Sequence, residues 1–244
     1  MPKVRRVIDK SDNNVIDNGL LPSVRFFGLL CGKTGSSKTT LMVNMLCSDE
    51  FPYNKIFKGD NIYIFSGSLD SDLKIQKLIE FHDVPESNLY RGFDNDELNL
   101  LYDKLEEDYM EKKDNDEPID YPLVILDDLS FSLSRGKNFN SIKRFAQNSR
   151  KLAISVMITT QHYSQVELSV RNNISFACLY HASAKNVSIM EEEHNYLGGK
   201  KKFMTMWNEN VKSKRDFICI NYDNDGNDIY LNSQFEPIFK HHDC

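Results

Sequence analysis

The feature that most constrains this chain is an apolar run that breaks into a small-residue loop and resumes as a helix. Val24 to Asn44 reads VRFFGLLCGKTGSSKTTLMVN. The residues from Val24 to Cys31 have the length and composition of a buried strand, Gly32 to Ser37 suit a tight loop, and from Lys38 the apolar spacing turns helical. That order makes a phosphate-binding loop, because backbone N–H groups at a helix N-terminus surround phosphate oxygens. The expected nucleotide-binding residues are Gly32, Lys33, Thr34, Gly35, Ser36, Ser37, Lys38, Thr39 and Thr40. Lys38 reaches the β- and γ-phosphates as a point charge, and the Thr39 hydroxyl ligates Mg²⁺. The usual pattern, G-x-x-x-x-G-K-S/T, has glycine where this chain has Ser37. The bland alternative is a Gly/Ser hairpin with a chance lysine, which the flanking strand and helix disfavour.

Tyr121 to Asp128, YPLVILDD, is the second landmark. Four apolar residues run into two acids, as in a Walker B strand. A buried parallel strand carries its last residues to the carboxyl edge of the sheet, where ligands bind in open α/β folds. Asp127 is then the second Mg²⁺ residue and Asp128 the group that polarises an attacking water. A strand ending in acids is weak evidence by itself; downstream of a phosphate loop it becomes strong. Ala153 to Thr160, AISVMITT, reads as a further buried strand tipped by Gln161. An additional strand lying between the loop strand and the Walker B strand marks one branch of these proteins, and Gln161 would sense the γ-phosphate and orient water.

The rest of the pattern gives an α/β fold, a P-loop domain of the additional-strand, RecA-like type with a mainly parallel sheet flanked by helices. Strands are expected at Asn61 to Ser66, Ile174 to His181 and Arg215 to Tyr222, with Ile229 to Leu231 pairing back across Asn224 to Asn227. Helices are expected at Ser71 to Phe81, with Leu73, Leu78 and Ile79 inward, and at Asp94 to Lys113, with Leu98, Leu101, Tyr102, Leu105 and Tyr109 on one face. A third helix spans Asn138 to Lys151, with Phe139, Ile142, Phe145 and Ala146 inward. Ser164 to Asn173 reads as a polar connection, Glu191 to His194 as a solvated helix face, Gly198 to Phe203 as a basic turn, and the terminal His241 to Cys244 as a frayed tail. Residues 1–22 form a polar arm, and 23–244 one P-loop domain with a C-terminal strand extension.

Composition narrows the partners. A formal charge of −6 announces no global positive field, so the chain is not a basic protein that coats nucleic acid. The five cysteines are scattered without a C-x-x-C, which suits a reducing compartment. The first residues lack the apolar core of a secretory signal, and no apolar run is long enough to span a bilayer.

Taken together, GKTGSSKTT, VILDD and RKLAISVMITTQ resemble the FtsK–HerA branch of P-loop ATPases, and most of all the DNA-packaging ATPases of large nucleocytoplasmic DNA viruses and virophages. The likeness runs from about Val24 to His181. It implies ATP hydrolysis with Mg²⁺, a ring of five or six subunits around double-stranded DNA, and association with capsid portal or vertex proteins. It also implies action in the host cytoplasm or viral factory, or on the virion. In the family an arginine from a neighbouring subunit completes the site. Arg150 matches that position best, with Arg144 and Arg171 as alternatives. Candidate DNA contacts are Lys200 to Lys202, Lys212, Lys214 and Arg215. Many relatives carry Asp-Glu where this chain has Asp127-Asp128.

Other readings stay open at this stage. A small-molecule or nucleoside kinase also uses a phosphate loop, but the glutamine-tipped strand and the paired aspartates disfavour it. A GTPase would show an N-K-x-D motif after the Walker B strand, which is missing. A non-catalytic scaffold with a degenerate loop has only Ser37 in its favour. A conjugative or chromosome-segregating DNA pump shares the same core.

Overall fold

A computed structural model describes residues 18–128 and 140–239, without the side chain of residue 227. The segment 1–17 of the expected arm, Phe139 and the terminal 240–244 lie outside the described residues.

Among the described residues, eight strands form one sheet. They are β1 (Phe27–Cys31), β2 (Ile62–Ser66), β3 (Leu89–Arg91), β4 (Leu123–Asp127), β5 (Ser155–Thr160), β6 (Phe176–Tyr180), β7 (Phe217–Asn221) and β8 (Tyr230–Leu231). Their spatial order is β3-β2-β4-β5-β1-β6-β7-β8. Pairing is parallel from β3 through β6 and antiparallel at β6–β7 and β7–β8. The glutamine-tipped strand β5 lies between the loop strand and the Walker B strand, as the motif order requires. The short edge strand β3 has no counterpart in the sequence reading, since three residues between Pro85 and Asp94 carry too little pattern to separate from a loop.

The central strands are buried on both faces, so they read as continuous apolar runs rather than alternating ones. Alternation still sorts their side chains into two layers. Phe27, Leu29 and Cys31 face α4 (Asn95–Asp114), α5 (Asn140–Asn148), α7 (Ala184–His194) and α8 (Lys200–Asn210). Phe26 and Leu30 face α1 (Lys38–Cys47), α2 (Tyr53–Ile56) and α3 (Leu73–His82). Helix α4 starts where its cap dictates: the Asp94 carboxylate accepts from the N–H groups of Asp96 and Glu97. It buries Leu98, Leu101, Tyr102 and Leu105 as the three-four spacing predicts.

Several expectations are corrected. Leu73 is 78% exposed as the first residue of α3, and Ile75 takes the inward place beside Leu78. The connection from Ser164 to Asn173 contains a 3-10 turn and the short helix α6 (Leu168–Arg171), and it buries Val166 and Val170. Gly199 precedes α8, so Lys200 to Lys202 stand on the first turn of a helix rather than in a basic turn. The end of the expected arm is docked: the Leu20 carbonyl accepts from Asn221 and Asn224, and that of Pro22 from Tyr53.

Glu191 to His194 is the largest correction, because Glu191 and His194 are buried rather than solvated. Tyr163 and Arg171 donate to Glu193, at 2.6 Å for the phenol and 2.6 and 2.9 Å for the guanidinium. With the Tyr163 proton so used, His194 Nε2–H donates to the Tyr163 oxygen at 2.5 Å and Nδ1 accepts from Tyr222. The imidazole is therefore neutral, and burial, the main cause, pushes its pKa down to about 4. In the unfolded chain it titrates near 6.5. As pH falls from 6.5 toward 4 the unfolded state takes up a proton that the native state refuses, so stability is full above pH 6.5 and falls below it, by up to about 3 kcal/mol. Urea unfolding at pH 7 and pH 4.5 is expected to show this loss, and His194→Asn is expected to flatten that part of the slope.

Candidate active site

The site lies at the carboxyl edge of the parallel strands, and register assembles it. Cys31 pairs with Thr160, and Gly32 donates its N–H to the Thr160 carbonyl at 3.1 Å, so the loop leaves β1 level with the end of β5. Ser66 pairs with Asp127, which brings the end of β2 beside the acids. Gly32 is required by close approach, since a Cβ there would lie 2.6 Å from Tyr180 Cβ. Ser37 precedes α1 in the left-handed region, with φ 78°, where the usual glycine costs nothing and serine carries strain.

Hydrogen bonds join the motifs into one chain. Thr34 Oγ1 donates to Gln161 Oε1 at 3.0 Å, and Gln161 Nε2 donates to both carboxylate oxygens of Asp128 at 3.1 Å. The Asp128 N–H donates to Thr159 Oγ1 at 2.9 Å, and that hydroxyl donates to Asp127 Oδ1 at 2.7 Å. Ser66 Oγ donates to Asp127 Oδ2 at 3.1 Å. Gln161 and the phosphate loop, far apart in sequence, therefore meet at the second acid of the Walker B strand.

Electrostatics follow from burial. Asp127 is 3% exposed; desolvation raises its pKa against the lowering effect of the Thr159 and Ser66 hydroxyls. The Lys38 ammonium is also buried, donates to the Gly32 carbonyl at 2.7 Å, and has its pKa lowered by desolvation against the pull of the Asp128 and Asp127 carboxylates. The Cys31 thiol, pushed up to about 12 chiefly by burial, stays protonated and acts as a small apolar side chain. The Ser36 hydroxyl is buried without a hydrogen-bond partner among the described residues. An orphan hydroxyl and a buried ammonium suit an incoming anion. The metal donors fit as well: a Thr39 hydroxyl and an Asp127 carboxylate are the hard oxygens that Mg²⁺ takes. No group of three His, Cys, Asp or Glu able to hold a metal occurs among the described residues, Glu191 to His194 included.

The three arginines separate clearly. Arg144 is bound to Asp103 and Glu106 and stacks 3.8 Å over the Tyr102 ring. Arg171 is 12% exposed and held by Glu193 and the Val166 carbonyl. Arg150 is 71% exposed, with a 3.5 Å contact to Asp223. It sits in the 3-10 turn before β5, beside an open cavity of about 540 Å³ that Lys151, Asn173 and Asp223 also line. The five-residue length of a strand, about 17 Å, separates that amino edge from the phosphate loop.

Sequence reasoning missed Thr159 and Ser66. Their signal was faint: each is a hydroxyl at the carboxyl end of an apolar strand, where a polar side chain has to find a partner.

The profile of the family described as Poxvirus A32 protein matches residues 88–232, more than half of the chain; the phosphate loop precedes the matched stretch. No curated protein matches. Among solved structures, the genome packaging NTPase B204 from Sulfolobus turreted icosahedral virus 2 is similar in its complex with AMP, with a TM-score of 0.54 at 13% identity over 81% of this chain and 93% of that one. Its complex with AMPPCP gives 0.53 at 12% identity, over the same 81% and 93%. EssC (ATPases 2 and 3) from Geobacillus thermodenitrificans gives 0.52 at 14% identity over 68% of this chain, which spans 34% of EssC. These likenesses establish the fold.

Because Ser37 carries a left-handed backbone, Ser37→Gly is expected to raise stability by up to about 1 kcal/mol, after the larger chain entropy of glycine is set against the relief. Urea unfolding checks this, and titration with Mg·ATP is expected to find affinity retained.

Proposed function

We propose that this chain, which belongs to the Poxvirus A32 protein family, is an ATP-driven motor that moves double-stranded DNA into a preformed viral capsid. The observation that carries the reading is the hydrogen-bonded chain from Thr34 through Gln161 to Asp128, Thr159 and Asp127. It joins a loop built for phosphate to an acid placed for water. The fold neighbours described as genome packaging NTPase, solved with AMP and with AMPPCP, support the same choice. A nucleoside kinase is not favoured, since Gln161 and Asp128 together serve a water rather than a bound acceptor.

In this mechanism residues 32–40 hold the triphosphate, with Lys38 turning from the Gly32 carbonyl to the β- and γ-phosphates. Thr39 and Asp127 would hold magnesium, which would supply charge neutralisation on the phosphate oxygens. Asp128 orients the attacking water. The water oxygen bonds to the γ-phosphorus as the bond to the β–γ bridging oxygen breaks; ADP leaves with that electron pair, and the water proton passes to Asp128 and then to solvent. Gln161 is held by Thr34 and Asp128, so a γ-phosphate arriving on the loop competes for its amide. That competition makes it the sensor of ATP against ADP.

Arg150 completes the charge clamp on a neighbouring subunit's nucleotide, because it lies at the wrong edge of the sheet to reach its own. Arg144 and Arg171 are engaged within the chain. The ring, the capsid contact and action inside the infected cell belong to the same proposal, as does one ATPase domain over 23–244. No helix among the described residues is long and apolar enough to cross a membrane. DNA is held through phosphates, with Lys200 to Lys202, Lys212 and Arg215 as candidates, so binding is independent of sequence and weakens with salt.

Hydrolysis by the purified protein is expected to rise with linear double-stranded DNA and to be abolished by Lys38→Ala and by Asp128→Asn. Arg150→Ala is expected to lose roughly 10³-fold in kcat. Mixed with an excess of Lys38→Ala subunits, which still carry Arg150, it is expected to regain activity. Turnover that ignores DNA but rises with a small phosphate acceptor would sink the motor reading.

A further inference from the structure

Lys214 stands at the phosphate loop. A Cβ built on Gly35 would lie 2.8 Å from Lys214 Nζ and 3.4 Å from its Cε, so the ammonium rests against the glycine. The placement follows from strand direction. β7 runs antiparallel to β6, and its first residue, Phe217, pairs with Tyr180, the last residue of β6. Leu179 pairs with Cys31, so Tyr180 is level with Gly32. The turn entering β7 therefore lies at the same edge as the loop leaving β1.

The turn is built to aim that side chain. Asp216 Oδ2 accepts from the N–H groups of Lys212 and Ser213, at 3.1 and 2.6 Å, and Ser213 Oγ accepts from the Arg215 N–H at 3.3 Å. A carboxylate so used fixes the backbone on either side of Lys214. At the other partner, Gly35 has φ +75° and no side chain, which leaves the loop open to an approaching group. Gly35 adjoins Thr34, whose hydroxyl holds Gln161 and, through it, Asp128. In the mechanism proposed above, this is the half of the loop toward the γ-phosphate and the attacking water.

We infer that Lys214 is a second phosphate-binding cation supplied by the subunit's own chain, directed at the γ-phosphate of ATP rather than at DNA. The inference rests on the ATPase reading above. Charge that develops on the γ-phosphoryl oxygens and the β–γ bridging oxygen during cleavage meets Lys38 from within the loop and Lys214 from beside Gly35. Each subunit then senses the terminal phosphate through its own Gln161 and Lys214, and the partner's arginine adds to a site already partly neutralised.

The test uses the full chain with Lys214→Ala and Lys214→Arg, on an exposed turn where neither change threatens folding. Calorimetric titration with Mg·AMPPNP and Mg·ADP is expected to show a loss of about tenfold in the triphosphate's affinity for the alanine variant and little change for ADP. The kcat for ATP is expected to fall on the order of 10²-fold, the scale of a lost transition-state donor. Lys214→Arg is expected to restore much of both. Affinity for linear DNA and its dependence on salt should not move. Equal loss for both nucleotides, or none, would overturn the assignment. So would intact nucleotide binding with weaker DNA binding and a salt slope reduced by about one, which would make Lys214 a DNA contact. A wild-type chain that binds Mg·AMPPNP and hydrolyses ATP, with an alanine variant that matches it, ends the inference and spares the motor. A wild-type chain that binds no nucleotide ends both.

Discussion

The pairing of β5 between β4 and β1 is the constraint on which the site depends. Leu126 pairs with Ile158 on one side, and Cys31 with Thr160 on the other. Thr159 is thereby set beside the acids, and Gln161 emerges between the Walker B tail and the phosphate loop. A slip of one residue would turn the Thr159 hydroxyl to the opposite face and leave Asp127 without one of its two donors. The Thr159 hydroxyl pins the register, because a slip would bury it away from both Asp127 and the Asp128 N–H.

That architecture explains which parts were legible in the sequence. The loop, the Asp127-Asp128 tail and Gln161 are local signals, each a strand end followed by a residue type that a buried strand cannot otherwise tolerate. Their order along the chain, with one strand inserted between the other two, carried the topology. Groups whose roles depend on partners distant in sequence were not legible. The acids and histidine of α7 look like a solvated face until Arg171 and Tyr163 arrive from the segment after β5. Leu73 fits an inward helical position by period, but α3 begins at that residue, before the helix turns its apolar side to the sheet. Lys214 resembles any surface lysine until the antiparallel entry of β7 brings it to the loop.

The site also holds charge where charge is costly. Lys38 and Asp127 are desolvated, and each has a pKa moved toward its neutral form. In low dielectric, such groups interact strongly with whatever charge completes them. A triphosphate with its metal brings anionic oxygens to Lys38 and a cation to Asp127, so binding relieves both penalties at once. The strained Ser37 and the orphan Ser36 hydroxyl stand on the same loop, the segment that the nucleotide would engage.

The two edges of the sheet then divide the labour. The carboxyl edge carries the phosphate loop, the paired acids and Gln161, and the amino edge carries Arg150, exposed beside a polar cavity. Under the proposed function, Arg150 serves the nucleotide of a neighbouring subunit, since it lies at the opposite edge from its own loop. In the proposed motor, a nucleotide at one edge and an arginine at the other would pair copies head to tail rather than face to face. Heterologous contacts of that kind close into rings when the rotation permits. In the proposed ring, with Lys214 acting within the subunit and Arg150 across the interface, occupancy by ATP is read by each subunit alone, while full-rate cleavage also needs the neighbour's arginine. This division allows hydrolysis to pass around a ring in order.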